Sequence, residues 1–143
     1  MKVKQLLAAG ATLALIGAFA AMPGQAQKPK TVWDGVYTDA QADRGMTTFK
    51  AQCAGCHGEG MQGAGGAPAI AGPEFLFNWD KKSTGELLEY VKAQMPPGAG
   101  GSISDAKYVD IIAAMFKTSE FPKGSAELDA KSLGDIQITK EKK

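Results

Sequence analysis

Cys53-Ala54-Gly55-Cys56-His57 is the stretch on which the fold and chemistry turn. It contains both cysteines and the only histidine of a 143-residue chain. On one helical turn Cys53 and Cys56 are i, i+3 neighbours, so their sulfurs project from one side, and His57 lies i+4 from Cys53. Two thiols followed directly by an imidazole form the attachment signature of c-type haem. Each sulfur adds across one porphyrin vinyl group, and the imidazole supplies the proximal iron ligand. Covalent attachment also prevents loss of the cofactor, which suits an exported protein.

Other readings of the same residues fare worse. A dithiol redox pair normally sits in a βαβ setting, and no run of alternating strands surrounds this one. Zinc needs a fourth ligand and wider spacing, yet no further Cys or His exists. A plain disulfide across four residues is a minor possibility. Downstream, Gly58-Glu59-Gly60-Met61-Gln62-Gly63 matches the dinucleotide-binding glycine pattern. It lacks the strand before and the helix after that such a site requires. Those glycines either let the backbone pass close to the haem edge or form an ordinary flexible loop.

Outward from the motif, helical signals frame it. Thr38 with Gln41 fits a capping box and predicts a helix from Asp39 to about Gln52, with Ala42, Gly45, Met46 and Phe49 on one face. Ala67-Pro68-Ala69-Ile70-Ala71-Gly72-Pro73 reads as extended and turn-rich, followed by an aromatic cluster of Phe75, Phe77 and Trp79. Ser83 with Glu86 opens a second helix through Leu87, Leu88 and Val91, ended by Pro96-Pro97. Ser104 or Ser102 caps a last helix carrying Tyr108, Ile111, Ile112, Met115 and Phe116, which fades near Lys117–Ser119. The fold class is therefore all-α, with three main helices and long loops.

The sixth iron ligand is sought among six methionines. Met1 and Met22 belong to the N-terminal leader, and Met46 and Met115 fall on apolar helix faces, as core residues do. Met61 is only four residues past His57, too close to wrap to the other haem face. Met95 lies 38 residues beyond His57, and Pro96 forces it into an extended conformation. From there its thioether can face the iron, which would stabilise Fe(II) and raise the potential. The plainer alternative is that Met95 fills a gap.

Residues 1–26 read as a secretory signal peptide. Lys2 and Lys4 precede an apolar run from Leu6 to Ala21, and Gly24-Gln25-Ala26 predicts cleavage after Ala26. The protein is then periplasmic. The alternative is an uncleaved N-terminal membrane anchor, for which the run is short. Without Lys2 and Lys4 the formal charge moves from +1 to −1. Such a balance excludes nucleic acid as a partner. The expected division is signal peptide 1–26, lead-in 27–37, haem domain 38–119, and 120–143 as an extension with a mobile tail. Phe121, Leu128, Leu133, Ile136 and Ile138 are the extension's expected anchors.

Cys53-x-x-Cys56-His57, Pro68-Ala69-Ile70 and Met95-Pro96 together closely resemble class I cytochromes c. The resemblance implies one covalent haem c with His57 and Met95 on the iron. It also implies a Pro68 carbonyl accepting from His57 Nδ1–H, Ile70 on the haem face and Trp79 near a propionate. Gly45 and Phe49 would pack against an aromatic on the last helix, here Tyr108. Val32-Trp33-Asp34-Gly35-Val36-Tyr37 and Phe121-Pro122-Lys123-Gly124 resemble small periplasmic cytochromes associated with quinoprotein (PQQ) dehydrogenases. That likeness spans residues 32–138, with Thr118-Ser119-Glu120 standing where the group has an Asn-Gly pair.

The resulting expectation is a non-enzymatic one-electron carrier. It takes electrons from a dehydrogenase and passes them to an oxidase or another cytochrome. Lys50, Lys81, Lys82 and Lys92 either dock an acidic partner or are ordinary solvated charges. One rival is a fixed dehydrogenase subunit, with Trp33, Tyr37 and residues 120–138 as interface anchors rather than cover for the domain's own core. The other is a haem peroxidase or gas-binding protein. That needs an open iron position and a distal acid or base; only Glu59 and Glu74 offer themselves.

Overall fold

The computed structural model describes residues 28–142; the expected signal peptide lies outside them. Five helices form: α1 Asp39–Gln52, α2 Ala54–His57, α3 Gly72–Trp79, α4 Thr84–Gln94 and α5 Asp105–Thr118. A 3₁₀ turn at Leu133–Asp135 leads into β2, Ile136–Gln137, which pairs in parallel with β1, Lys30–Thr31. The fold is all-α around one apolar core, with the three long helices where the sequence predicts them.

The core is built on the crossing of α1 and α5. Their closest approach is at Gly45, where a Cβ would lie 1.7 Å from the Asp110 carbonyl oxygen. No side chain fits there, and its absence lets Ala42, Phe49, Ile111, Ile112 and Met115 close into a buried seam. Gly45 thus meets Asp110 and Ile111, two and three residues beyond Tyr108, while Phe49 and Tyr108 share the same buried cluster.

The predicted caps form with two differences. Ser83 and Glu86 make a full reciprocal box, Glu86 N–H donating to Ser83 Oγ (3.1 Å) and Ser83 N–H to the Glu86 carboxylate (2.7 Å). Thr38 Oγ1 accepts from Gln41 N–H, but the Gln41 side chain does not reciprocate. It turns into the core, donating to the Leu128 carbonyl (2.9 Å) and accepting from Leu128 N–H (2.8 Å). The buried Leu128 backbone offers the amide two bonds at once, where the cap offers one. Replacing Gln41 by alanine should strand both Leu128 groups and cost about 2–4 kcal/mol, read as a lower unfolding midpoint in denaturant. Ser104 stands at the start of α5 without a side-chain cap bond.

Helix α3 is absent from the sequence-based reading, which took Gly72-Pro73 as a break. Here proline opens the helix instead: its fixed φ suits the first turn, where its missing N–H has no partner to lose. Phe75 is buried by this helix, while Phe77 stays 75% exposed.

The chain outside the helices is wound onto them. Phe121, Leu128, Leu133, Ile136 and Ile138 are all buried. Tyr37 is buried too, its hydroxyl donating to the Phe121 carbonyl at 2.7 Å. Trp33 sits edge-on to Phe121 and donates its indole N–H to the Thr139 carbonyl. Trp33 and Tyr37 thus cover the domain's own core. Arg44 ties α1 to Asp110 and Glu127, and its guanidinium holds the Glu127 carboxyl below the ordinary range. At the expected mobile tail, Lys140 N–H donates to the Asp80 carboxylate and its ammonium lies 5.3 Å from the Phe77 ring.

Candidate functional site

Around the Cys-x-x-Cys-His stretch the helix breaks and restarts. Cys53 N–H still caps α1 through the Phe49 carbonyl, and His57 N–H donates to the Cys53 carbonyl, closing the single turn of α2. This turn sets both thiols and the imidazole along one wall of a cavity of about 710 Å³. That volume falls within the roughly 300–1,000 Å³ of small-molecule and cofactor pockets.

The two cysteines are free thiols. Burial chiefly, and the neighbouring Cys56, push the Cys53 thiol up. A redox dithiol needs the opposite, a depressed pKa that yields thiolate.

His57 is buried, and its Nδ1 lies 2.9 Å from the Pro68 carbonyl oxygen. A carbonyl only accepts, so this contact places the imidazole proton on Nδ1 and leaves the Nε2 lone pair unprotonated. The ring is thereby oriented with Nε2 free for a metal. The loop reaches Pro68 through a tight fold: Gly63, at φ +82°, donates to the His57 carbonyl, and a Cβ there would meet the Ala67 carbonyl at 2.7 Å. The glycine serves a close approach of the loop to itself.

All seven residues expected at the site line this one cavity: Cys53, Cys56, His57, Pro68, Ile70, Trp79 and Met95. Met95 ends α4 in an extended conformation (φ −125°, ψ 137°), as its position before Pro96 predicts. Trp79 stands edge-on to Tyr90, with the Lys82 ammonium 4.7 Å from its ring. Met46 and Met61 are not among the lining residues, and Met61, within the loop, is fully buried. Met115 differs from expectation: it is a buried core residue on α5 and also lines the cavity.

Sequence reasoning missed the rest of the wall, including Leu87, Val91, Ile103 and Ile111. The apolar faces of α4 and α5 signalled burial, but nothing in a helical pattern separates a face turned to other side chains from one turned to a cofactor. Of the four lysines singled out, Lys92 pairs with Asp105 at 2.9 Å and Lys50 with Glu59 at 4.0 Å. Lys82 rests over Trp79, and Lys81 makes no ion pair among the described residues.

The donor set fits haem c. Two unpaired thiols on one turn suit two thioether bonds, a neutral imidazole with its proton held elsewhere suits iron, and the remaining wall is largely apolar. Among the described residues no cluster of three or more His, Cys, Asp or Glu could hold a bare metal ion, and no helix is long and apolar enough to cross a membrane.

Comparison with known proteins agrees with this geometry. The family described as cytochrome C oxidase, cbb3-type, subunit III matches residues 40–113, just over half of the chain. A thiosulfate dehydrogenase of Psychrobacter arcticus is 33% identical over 110 residues, covering 65% of this chain and 33% of that protein. A thiosulfate dehydrogenase of Stutzerimonas stutzeri is 37% identical over 79 residues, covering 50% of this chain and 25% of that protein. The chain therefore spans a third or less of the length of these relatives. Among solved structures, the sulfane dehydrogenase SoxCD from Paracoccus pantotrophus superposes with a TM-score of 0.53 at 20% identity. The superposition covers 73% of this chain and 61% of that one, a likeness of fold.

Proposed function

From the premise that this chain belongs to the cytochrome c family described as cytochrome c oxidase, cbb3-type, subunit III, we propose that it is a one-electron carrier holding one haem c. The observation that supports this most is the gathering of Cys53, Cys56, His57 and Met95 on one apolar cavity, with His57 Nδ1 held by Pro68. When bound, the haem supplies an iron that alternates between Fe(III) and Fe(II). The chain does the remainder. Cys53 and Cys56 would anchor the porphyrin through thioethers, and His57 Nε2 and the Met95 thioether would be the protein's ligands to its iron. Ile70, Leu87 and Ile111 keep water from the iron. With both ligands supplied by the protein, the two oxidation states would need little rearrangement and a substrate would have no access to the iron. The protein is then a carrier rather than an enzyme.

The test is optical. The reduced, haem-loaded protein should show an absorption spectrum that carbon monoxide leaves unchanged. A prompt change would instead indicate an open iron position and favour a gas-binding protein or peroxidase.

The carrier works in the periplasm, between a dehydrogenase donor and an oxidase or cytochrome acceptor. The sequence likeness supports a quinoprotein dehydrogenase as donor. The names of the relatives support a second reading, in which this cytochrome serves a dehydrogenase acting on thiosulfate; a stretch similar to it occurs within longer proteins so named. Reduction of the purified protein on mixing with a quinoprotein dehydrogenase and its alcohol substrate, or with a thiosulfate dehydrogenase and thiosulfate, separates the donors. Its size in native extract separates a free carrier from a bound subunit.

A further inference from the structure

Beyond the ligands themselves, one side chain bears directly on the segment that presents Met95. Tyr108, on the first turn of α5, is 1% exposed, and its hydroxyl donates to the Met95 backbone carbonyl at 2.7 Å. No regular secondary structure holds residues 95–104, which connect α4 to α5. They are tied down at other points. Lys92 pairs with Asp105 across the base of the loop, and Gly100 lies so close to α4 that a Cβ would meet the Ala93 carbonyl at 2.5 Å. Met95 itself is held twice: its N–H donates to the Val91 carbonyl at the end of α4 (2.9 Å), and its carbonyl accepts from Tyr108, the tie that reaches it from α5.

We propose that Tyr108 is a positioning residue that latches Met95 in place and so sets how readily a foreign ligand displaces it. The proposal rests on Met95 being the sixth ligand. For a small base such as imidazole to bind ferric iron, Met95 must first swing away, and where the segment before Pro96 moves with the side chain the Met95 carbonyl parts from the Tyr108 hydroxyl. Apparent affinity for such a base is its intrinsic affinity scaled by the fraction of molecules in the open state. Removing a hydrogen bond to this partly buried carbonyl raises that fraction by up to about tenfold. Phenylalanine keeps the buried ring and deletes only the bond.

The experiment is a spectral titration of the ferric, haem-loaded protein with imidazole. Tyr108→Phe should bind up to about ten times more tightly than the parent. Gln41→Ala, which weakens the fold at a site remote from this loop, should bind like the parent. In a Met95→Ala background the Tyr108→Phe change should have no further effect, because nothing remains to be latched. Tyr108→Phe binding within twofold of the parent, or the same gain with and without Met95, would overturn the proposal. If Met95→Ala alone leaves imidazole binding as weak as in the parent, the Met95 assignment itself has failed and the latch falls with it. Should Tyr108→Phe not load haem, Gly100→Ala loosens the same loop from its other tie. It should tighten imidazole binding in the same direction, and an unchanged affinity there counts against the latch.

Discussion

Replacing Gly45 by alanine should cost this protein about 3 kcal/mol or more, at the upper edge of ordinary overpacking. The added Cβ would lie 1.7 Å from the Asp110 carbonyl oxygen, 2.3 Å from the Asp110 carbonyl carbon and 2.9 Å from the Ile111 nitrogen. All three are backbone atoms, so no rotamer change relieves the clash, and one helix must withdraw by well over an ångström. Dispersion forfeits a quarter to a half of its well depth for a gap of about 0.5–1 Å. The whole seam from Ala42 to Met115 therefore loses attraction together. Against a typical total stability of about 5–15 kcal/mol, the melting temperature should fall by about 10–20 °C. Gly55→Ala is the matched control. It is the same substitution in a helix, but its Cβ meets nothing within 4 Å, so the melting temperature should hold or rise slightly. A Gly45→Ala protein melting within about two degrees of the parent would contradict the close crossing of α1 and α5.

How much of this was legible beforehand depended on whether the signal was local. The Cys53–His57 turn, the reciprocal Ser83–Glu86 box and the extended Met95 are dictated by residues adjacent or one turn apart, and each appears where the sequence places it. Gly45 was legible only as part of a helical face; the partner that makes it intolerant of a side chain lies 65 residues away. The failures have the same origin. Thr38-x-x-Gln41 carries the local sequence of a full capping box, but Leu128 outcompetes the cap for the Gln41 amide. Gly72-Pro73 carries two breakers, yet a proline suits a first turn as well as an ending. The Tyr108–Met95 contact has no sequence signature, because a tyrosine on an apolar helix face announces burial without naming the carbonyl its hydroxyl will find. The same limit applies to Met115, whose helical spacing marks it as core while the cavity claims its flank.

That flank makes the last expected result a crossed pair. Two thioethers, Met95 and Met115, line the cavity, and truncating each should fail in a different way. Met95 is only partly buried, at the end of α4, with a backbone already out of the helix. Its side chain can be removed without disturbing a packed seam, and what is lost is the proposed soft ligand to iron. Met95→Ala should therefore fold and load haem, and its reduced form should bind carbon monoxide to saturation where the parent shows no change. Loss of the thioether also removes a preference for Fe(II), so the reduction potential should fall. Met115 is 2% exposed near the end of α5, between the fully buried Ala114 and Phe116. Met115→Ala should leave the iron closed to carbon monoxide and cost about 2–5 kcal/mol of stability through the cavity it creates. If the pattern reverses, so that Met115→Ala opens the iron and Met95→Ala merely loosens the fold, the ligand sits on the rigid helix and not on the loop. If neither truncation changes the response to carbon monoxide, the sixth position is not held by a methionine. The closed site would then need another ligand from the cavity wall.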